Sequence, residues 1–110
     1  VIGCGGNREK EKRAMIGNLL NEIPARIILT TDNPRYEDPL DIIKDIQSTI
    51  EKDVFVIPDR TKAIQFALDG LQNEDYLLVL GKGCEAYIDI QGVKYPYSDL
   101  EVIHDWIRTH

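Results

Sequence analysis

The sequence predicts an α/β domain: a Rossmann-like, mostly parallel sheet flanked by helices, with a hairpin or antiparallel edge toward the carboxyl end. Two patterns carry that expectation. A short apolar or β-branched run, a turn containing Gly, Asp or Pro, and a helix-period stretch follow one another three times. Beyond residue 80 the period changes to that of short strands placed around Gln91-Gly92.

Residues 1–4 (VIGC) read as the end of a buried strand that runs into a glycine loop. Met15, Ile16, Leu19, Leu20 and Ile23 then make one helical stripe, which Pro24 ends. Residues 25–31 (ARIILTT) are the second strand. Asp38 stands at an N-cap and Pro39 at a first helical position, so Ile42, Ile43, Ile46 and Ile50 belong to a second amphipathic helix. Residues 54–58 form a third strand, and Asp59 caps a third helix that carries Ala63, Ile64, Ala67, Leu68 and Leu71, with Gly70 near its end. Residues 75–80 (DYLLVL) are the fourth and most apolar strand. The hairpin pairs residues 85–90 with 93–97, and Ser98-Asp99-Leu100-Glu101 has capping-box spacing, so Leu100, Ile103, Trp106 and Ile107 are expected to face the sheet from a last helix.

With 110 residues, 43% hydrophobic and 29% charged, the chain is expected to be one domain with one core. No apolar run approaches the roughly 20 residues that span a bilayer, and no secretory leader opens the chain, which points to a soluble cytoplasmic protein. An opening at Val1 without an initiator Met reads as a piece of a longer polypeptide. The net charge of −6 argues against a general attraction to nucleic acid or to an anionic membrane. Cys4 and Cys84 are too few for a disulfide framework or a four-ligand zinc site, and read as two small apolar residues in a reducing compartment.

In an open α/β sheet the ligand crevice lies outside the carboxyl ends of the strands. The loops expected there carry Gly5-Gly6-Asn7-Arg8, Asp32-Asn33-Pro34-Arg35, Asp59-Arg60 and Gly81-Lys82-Gly83-Cys84-Glu85. Arg8, Arg35, Arg60 and Lys82 would thus share one rim with Asp32, Asp59 and Glu85. Guanidinium groups pair with carboxylates or phosphates, and carboxylates accept from ammonium groups, so a mixed rim suits a zwitterion such as an amino acid. Taken singly, Asp32-Asn33-Pro34 is explained as a turn, and Asp38 and Asp59 as caps; only their joint placement points to a site. Residues 3–6 do not meet G-x-G-x-x-G, and the second strand lacks a terminal acid at the ribose-binding distance, so a nicotinamide site is rejected. Gly81-Lys82-Gly83 lacks the preceding glycine and following Ser/Thr of a phosphate-binding loop. His104 and His110 lie away from the rim and are read as neither catalytic nor metal-binding.

Read in order, G-C-G-G-N-R-E-K-E-K-R at residues 3–13, T-T-D-N-P-R-Y-E-D-P at 30–39, P-D-R-T-K-A-I at 58–64 and G-K-G-C-E at 81–85 resemble the Mur ligases, specifically the UDP-N-acetylmuramoyl-tripeptide synthetases of the MurE type. The resemblance covers almost the whole chain, and D-N-P-R is its most specific part. It implies the carboxy-terminal domain of a three-domain cytoplasmic enzyme of bacterial cell-wall biosynthesis, with the opening strand-and-helix unit missing. In that enzyme ATP phosphorylates the γ-carboxylate of D-Glu in UDP-MurNAc-L-Ala-D-Glu. The amine of a diamino acid then attacks the acyl phosphate, and a tetrahedral intermediate collapses to the amide, ADP and phosphate.

By the same resemblance, Arg35 binds the far carboxylate of meso-diaminopimelate and selects it over L-lysine. Asp32, Asn33 and Pro34 shape that site, Arg8 contacts a substrate carboxylate, and Gly81 with Glu85 holds the amino end; Arg60 and Lys82 are auxiliary candidates. ATP and Mg²⁺ would be bound mainly by a central domain outside this chain, so no catalytic or metal-binding residue is expected in it and it is expected to be inactive alone. The chain departs from the family pattern at Asn7, Glu9, Glu11, Ala14 and Cys84, where the family usually has Asp, Asp, Gly, Pro and His. Asn7 and Cys84 favour the alternative of a non-catalytic binding or scaffold module with this fold. A related ligase adding L-lysine or another amino acid is the other alternative.

Overall fold

The computed structural model describes residues 1–6 and 10–110. Helix α1 spans Lys10–Asn21, strand β1 Ile28–Leu29, helix α2 Pro39–Gln47, strand β2 Phe55–Val56, helix α3 Arg60–Asp69, strands β3 and β4 Tyr87–Ile90 and Val93–Pro96, and helix α4 Asp99–Thr109. The expected caps are in place. Asp38 accepts from the Leu40 amide, Asp59 from Lys62 and Ser98 from Glu101, each satisfying a helix-end N–H that has no partner within the helix.

Strands β1 and β2 pair in parallel, Ile28 opposite Phe55 and Leu29 opposite Val56. The Ile2 amide donates to Ile28 O and the Thr30 amide to Ile2 O, both at 3.0 Å, which lays the chain start along the other side of β1. Beyond it, the Val1 amino group donates to Leu78 O and the Leu80 amide to Val1 O, both at 2.9 Å. The four expected segments therefore lie side by side with their carboxyl ends together, in the order 76–80, 1–4, 27–31, 54–58. The fourth is not the regular strand expected. Tyr76 is 94% and Leu78 68% exposed, and the segment forms an irregular edge held to Val1. The second sheet is the expected hairpin, with Tyr87 opposite Pro96 and Ile90 opposite Val93. Its turn residues Gln91 and Gly92 have φ of 53° and 82°, the left-handed pair that a two-residue hairpin turn requires.

Alternation along β1 separates two faces. Ile27 and Leu29 pack with Leu20 of α1 and Ile42, Ile43 and Ile46 of α2 into the core cluster, which Ile2, Cys4, Ile16, Ile50 and Val54 flank. Each fully buried isoleucine there contributes roughly 1.5–3 kcal/mol. Ile28 faces the other way, toward Phe66 and Ala67 of α3, and α3 packs on α4.

Two helical faces differ from expectation by a rotation. On α1 the buried positions are Arg13, Gly17 and Leu20, whereas Met15 and Leu19, and Ile23 just past the helix, are exposed. Helix α1 approaches α2 so closely that a Cβ on Gly17 would lie 2.2 Å from Ile46 O, and a bulkier stripe cannot occupy that seam. Arg13 turns inward because Asp45 and Glu37 meet its guanidinium, each at 2.8 Å. On α4, Ile103 and Trp106 are half-buried as expected, but Leu100 and Ile107 are about 60% exposed. Asp99 takes the inward position at the start of that helix, for a reason given below. Among the described residues, no helix is long and apolar enough to cross a membrane.

Candidate functional site

The loop at residues 32–35 leaves the carboxyl end of β1 and is fastened on both sides. Gly6 lies flat against it: its amide donates to Asn33 O at 2.6 Å, and a Cβ there would sit 1.8 Å from Pro34 O, so only glycine fits. On the other side the Arg35 amide donates to Asp89 O at 2.9 Å, and the Gln91 amide to Arg35 O at 2.7 Å, which ties the loop to the hairpin. Between these ties Arg35 is held at φ 53°, a left-handed backbone unusual for a residue with a side chain. Its half-buried guanidinium uses Nη1 to reach Gly6 O at 2.9 Å.

The loop at residues 81–85 meets this one through Lys82. The lysine is 3% exposed, and its ammonium donates to Asn33 Oδ1 at 2.7 Å and Tyr87 O at 2.9 Å, with Asp32 Oδ1 at 3.3 Å and Glu85 Oε1 at 3.4 Å. Asn33 also accepts from the Asp89 amide at 3.0 Å and donates from Nδ2 to Glu85 Oε1 at 3.2 Å. Asp32, Asn33 and Glu85 are thereby brought into one cluster, although the last is 52 residues from Asn33. Gly81 borders it, with its would-be Cβ 2.8 Å from Asp32 Oδ2. A cavity of about 730 Å³ opens beside the cluster. Pro34, Arg35, Tyr36, Ile88 and Tyr97 help to line it; Asp32, Asn33 and Glu85 do not, so the charged cluster and the cavity meet at Arg35.

Lys82 is buried beneath the rim rather than on it, and Arg60, although it is among the residues that line the cavity, is turned inward. Arg60 is 2% exposed. Its Nε and Nη2 form a two-pronged pair with Asp99 at 2.8 and 2.9 Å, and the remaining donors reach Thr31 O and Leu80 O, each at 3.1 Å. Tyr97 OH donates to the same carboxylate. Burial pushes the Asp99 carboxyl up, but the hydrogen bonds from Arg60 and Tyr97 outweigh it and hold the group below the ordinary carboxylate range. Burial and the bond to Asp99 raise the Tyr97 hydroxyl. Asp59 remains a cap, and Arg8 lies outside the described residues. Cys84 is exposed rather than packed; Cys4 is half-buried, and burial raises its thiol, so it stays protonated.

What the loops assemble is the half-buried Arg35 guanidinium, the partly exposed Glu85 carboxylate and the buried Asp32 and Asn33 side chains, around the Lys82 ammonium. Such a set can pair with a small molecule that bears charges of both signs.

The family model described as "Mur ligase, glutamate ligase domain" matches residues 1–83. The chain belongs to that family. The Mur ligase match takes in both the Asp32–Arg35 loop and Lys82, and ends before Glu85 and the hairpin. Curated relatives extend across those too. A protein of Aquifex aeolicus named UDP-N-acetylmuramoyl-L-alanyl-D-glutamate–2,6-diaminopimelate ligase is 49% identical over 96% of this chain, and proteins of the same name from Neisseria meningitidis serogroup A and Rickettsia rickettsii are 43% and 45% identical over 99%. A solved structure of a ligase of that name superposes with a TM-score of 0.91 at 34% identity, covering 98% of this chain and 23% of that one. The chain spans only 22–23% of the length of these three curated relatives. Sequence reasoning missed Asp99, Tyr97 and Asp89. Asp99 reads locally as an ordinary first-turn acid, and nothing near it in sequence announces a partner 39 residues away.

Proposed function

We propose that this chain is the amino-acid-binding domain of an ATP-dependent ligase that adds meso-diaminopimelate to UDP-MurNAc-L-Ala-D-Glu in cytoplasmic cell-wall precursor synthesis. The observation that carries the reading is the juxtaposition of Arg35 with the Asp32–Asn33–Glu85 cluster, because it offers complementary charges for both ends of a diamino dicarboxylic acid. Arg35 takes the distal carboxylate, which lysine lacks. Glu85 and Asp32 take the distal ammonium, and Pro34 and Gly81 shape the walls. Arg8 joins as a second carboxylate contact.

The amine that attacks the acyl phosphate is the one at the other end of the amino acid whose distal end this domain holds, so the domain's contribution to the rate is positional. Among the described residues, no three His, Cys, Asp or Glu side chains converge as a metal cage. ATP, the nucleotide substrate and the metal belong, in this reading, to other domains of the same polypeptide.

The native polypeptide, supplied with ATP, Mg²⁺ and UDP-MurNAc-L-Ala-D-Glu, is expected to release phosphate only when meso-diaminopimelate is present. Arg35→Ala should raise KM for that amino acid by roughly 30-fold or more, as truncating one member of a desolvated charge pair does. Equal phosphate release with L-lysine would remove the specificity claim. No release with either amino acid would leave a binding module without ligase activity.

A further inference from the structure

We infer that Lys82 is a positioning residue that sets the amide of Asn33, and through it the polarity of the amino-acid site, without touching the ligand. The inference rests on the proposed reading of that site as one for an amino acid.

Lys82 has three N–H donors, and four acceptors surround them: Asn33 Oδ1, Tyr87 O, Asp32 Oδ1 and Glu85 Oε1. The side chain is wholly buried. No donor is left for a substrate, so its effect on one must pass through its partners. The partner it fixes most firmly is Asn33. An asparagine amide can point either way in principle, but here the ammonium and the Asp89 backbone N–H converge on one of its terminal atoms, and both are donors. That atom has to be the oxygen.

Two consequences follow for the rim. The acceptor of Asn33 is used up inside the protein. What the residue has left after Nδ2 donates to Glu85 is one further N–H, which suits a ligand carboxylate and cannot accept from an ammonium. The ammonium end is left to the carboxylates. Glu85 keeps unused acceptor capacity and a side chain 37% exposed, and Lys82 offsets only one of the two negative charges that Asp32 and Glu85 bring. Lys82 thus makes two close carboxylates compatible while leaving the pair net negative. It also bars the reversed binding mode in which Asn33 would accept from the amine.

The test uses Lys82→Met, Asn33→Ala and the double variant in the native polypeptide, each assayed for phosphate release. Each single change should raise KM for meso-diaminopimelate at least about tenfold, as leaving buried polar partners unmatched does, with KM for ATP unchanged. The double variant should be no worse than the poorer single one, because both break the same connection. Additive losses would overturn the inference and make Lys82 an independent ligand contact; an unchanged KM in Lys82→Met would overturn it outright. If unmodified protein shows no turnover with the diamino acid, it is the proposed function that fails. A measurement on the unmodified native polypeptide covers the case in which Lys82→Met does not fold. The Asn33 Nδ2 proton that is bonded to Glu85 should exchange slowly with solvent, and equally slowly with and without meso-diaminopimelate. Fast exchange in the free chain that slows on binding would mean that the ligand, not Lys82, orients Asn33.

Discussion

Of the three buried cations among the described residues, Arg60 and Lys82 hold different things. At the corner where α3 and α4 begin, Arg60 grips Asp99 with two bonds and spends its other donors on the carbonyls of Thr31 and Leu80. Every partner there belongs to the scaffold. At the rim, Lys82 is equally buried, but three of its four partners are side chains of the proposed site: Asp32, Asn33 and Glu85. The first cation is therefore expected to be read out in stability, the second mainly in binding. A planar guanidinium suits the bidentate corner, and a compact ammonium suits a point where acceptors converge from several directions.

The largest expected effect that could break this contrast is at the corner. Arg60→Ala leaves Asp99, 6% exposed, as a buried carboxylate without its cation, and should cost about 3–5 kcal/mol in urea denaturation. A loss below about 1 kcal/mol would mean that the corner is not a clamp. Next comes Gly6→Ala at the rim. Its Cβ would have to displace the Pro34 carbonyl, so a loss of about 1–3 kcal/mol is expected together with weaker meso-diaminopimelate binding by titration calorimetry, since loop 32–35 must move. Loss of stability with binding intact would show that loop and site are uncoupled.

The corner should also give a pH signature. The Asp99 carboxyl is held below its unfolded value, so its contribution is present above pH of about 4 and is lost as pH falls through the folded value. Tyr97 is raised, so its contribution is complete below about pH 10 and is lost as pH rises beyond that. Tyr97→Phe should cost about 1 kcal/mol at neutral pH and flatten the alkaline decline in Tm. An alkaline decline unchanged in that variant would place its origin elsewhere.

How much of this was legible in the sequence follows from the range of the interactions. The starts of α2, α3 and α4 were readable, because each is set by a side chain bonding an amide two or three residues on. So was the hairpin turn, which needs two left-handed residues in a row. The joint presence of residues 32–35 and 81–85 at one end of the sheet followed from topology alone. What could not be read is which basic side chains stay on the surface. Arg60 and Lys82 are buried by partners 39 and 49 residues away, and loop position says nothing of such partners. The face of α1 was missed for a similar reason: apolar count favours Met15 and Leu19, but the fit against α2 is decided by the smallest residue, Gly17. The fourth strand was overread, since apolar composition does not reveal that Tyr76 and Leu78 lie open on a sheet edge.

The smallest effect separates the two regions most sharply. Arg35 adopts φ 53°, where a side chain costs about 1 kcal/mol and glycine nothing, because the loop is tied on one side to Gly6 and on the other to Asp89 and Gln91. No residue of the α3–α4 corner has such a backbone. If the strain is retained for the sake of the guanidinium, Arg35→Gly should be more stable than Arg35→Ala by about 0.5–1 kcal/mol in denaturant melts, while both lose meso-diaminopimelate binding to the same degree. Were the alanine variant as stable as the glycine one, the left-handed turn would be costless, and Arg35 would need no functional reason to be there. The difference should also survive in an Arg60→Ala background with its size unchanged, because the two sites share no partner and their free energies should add.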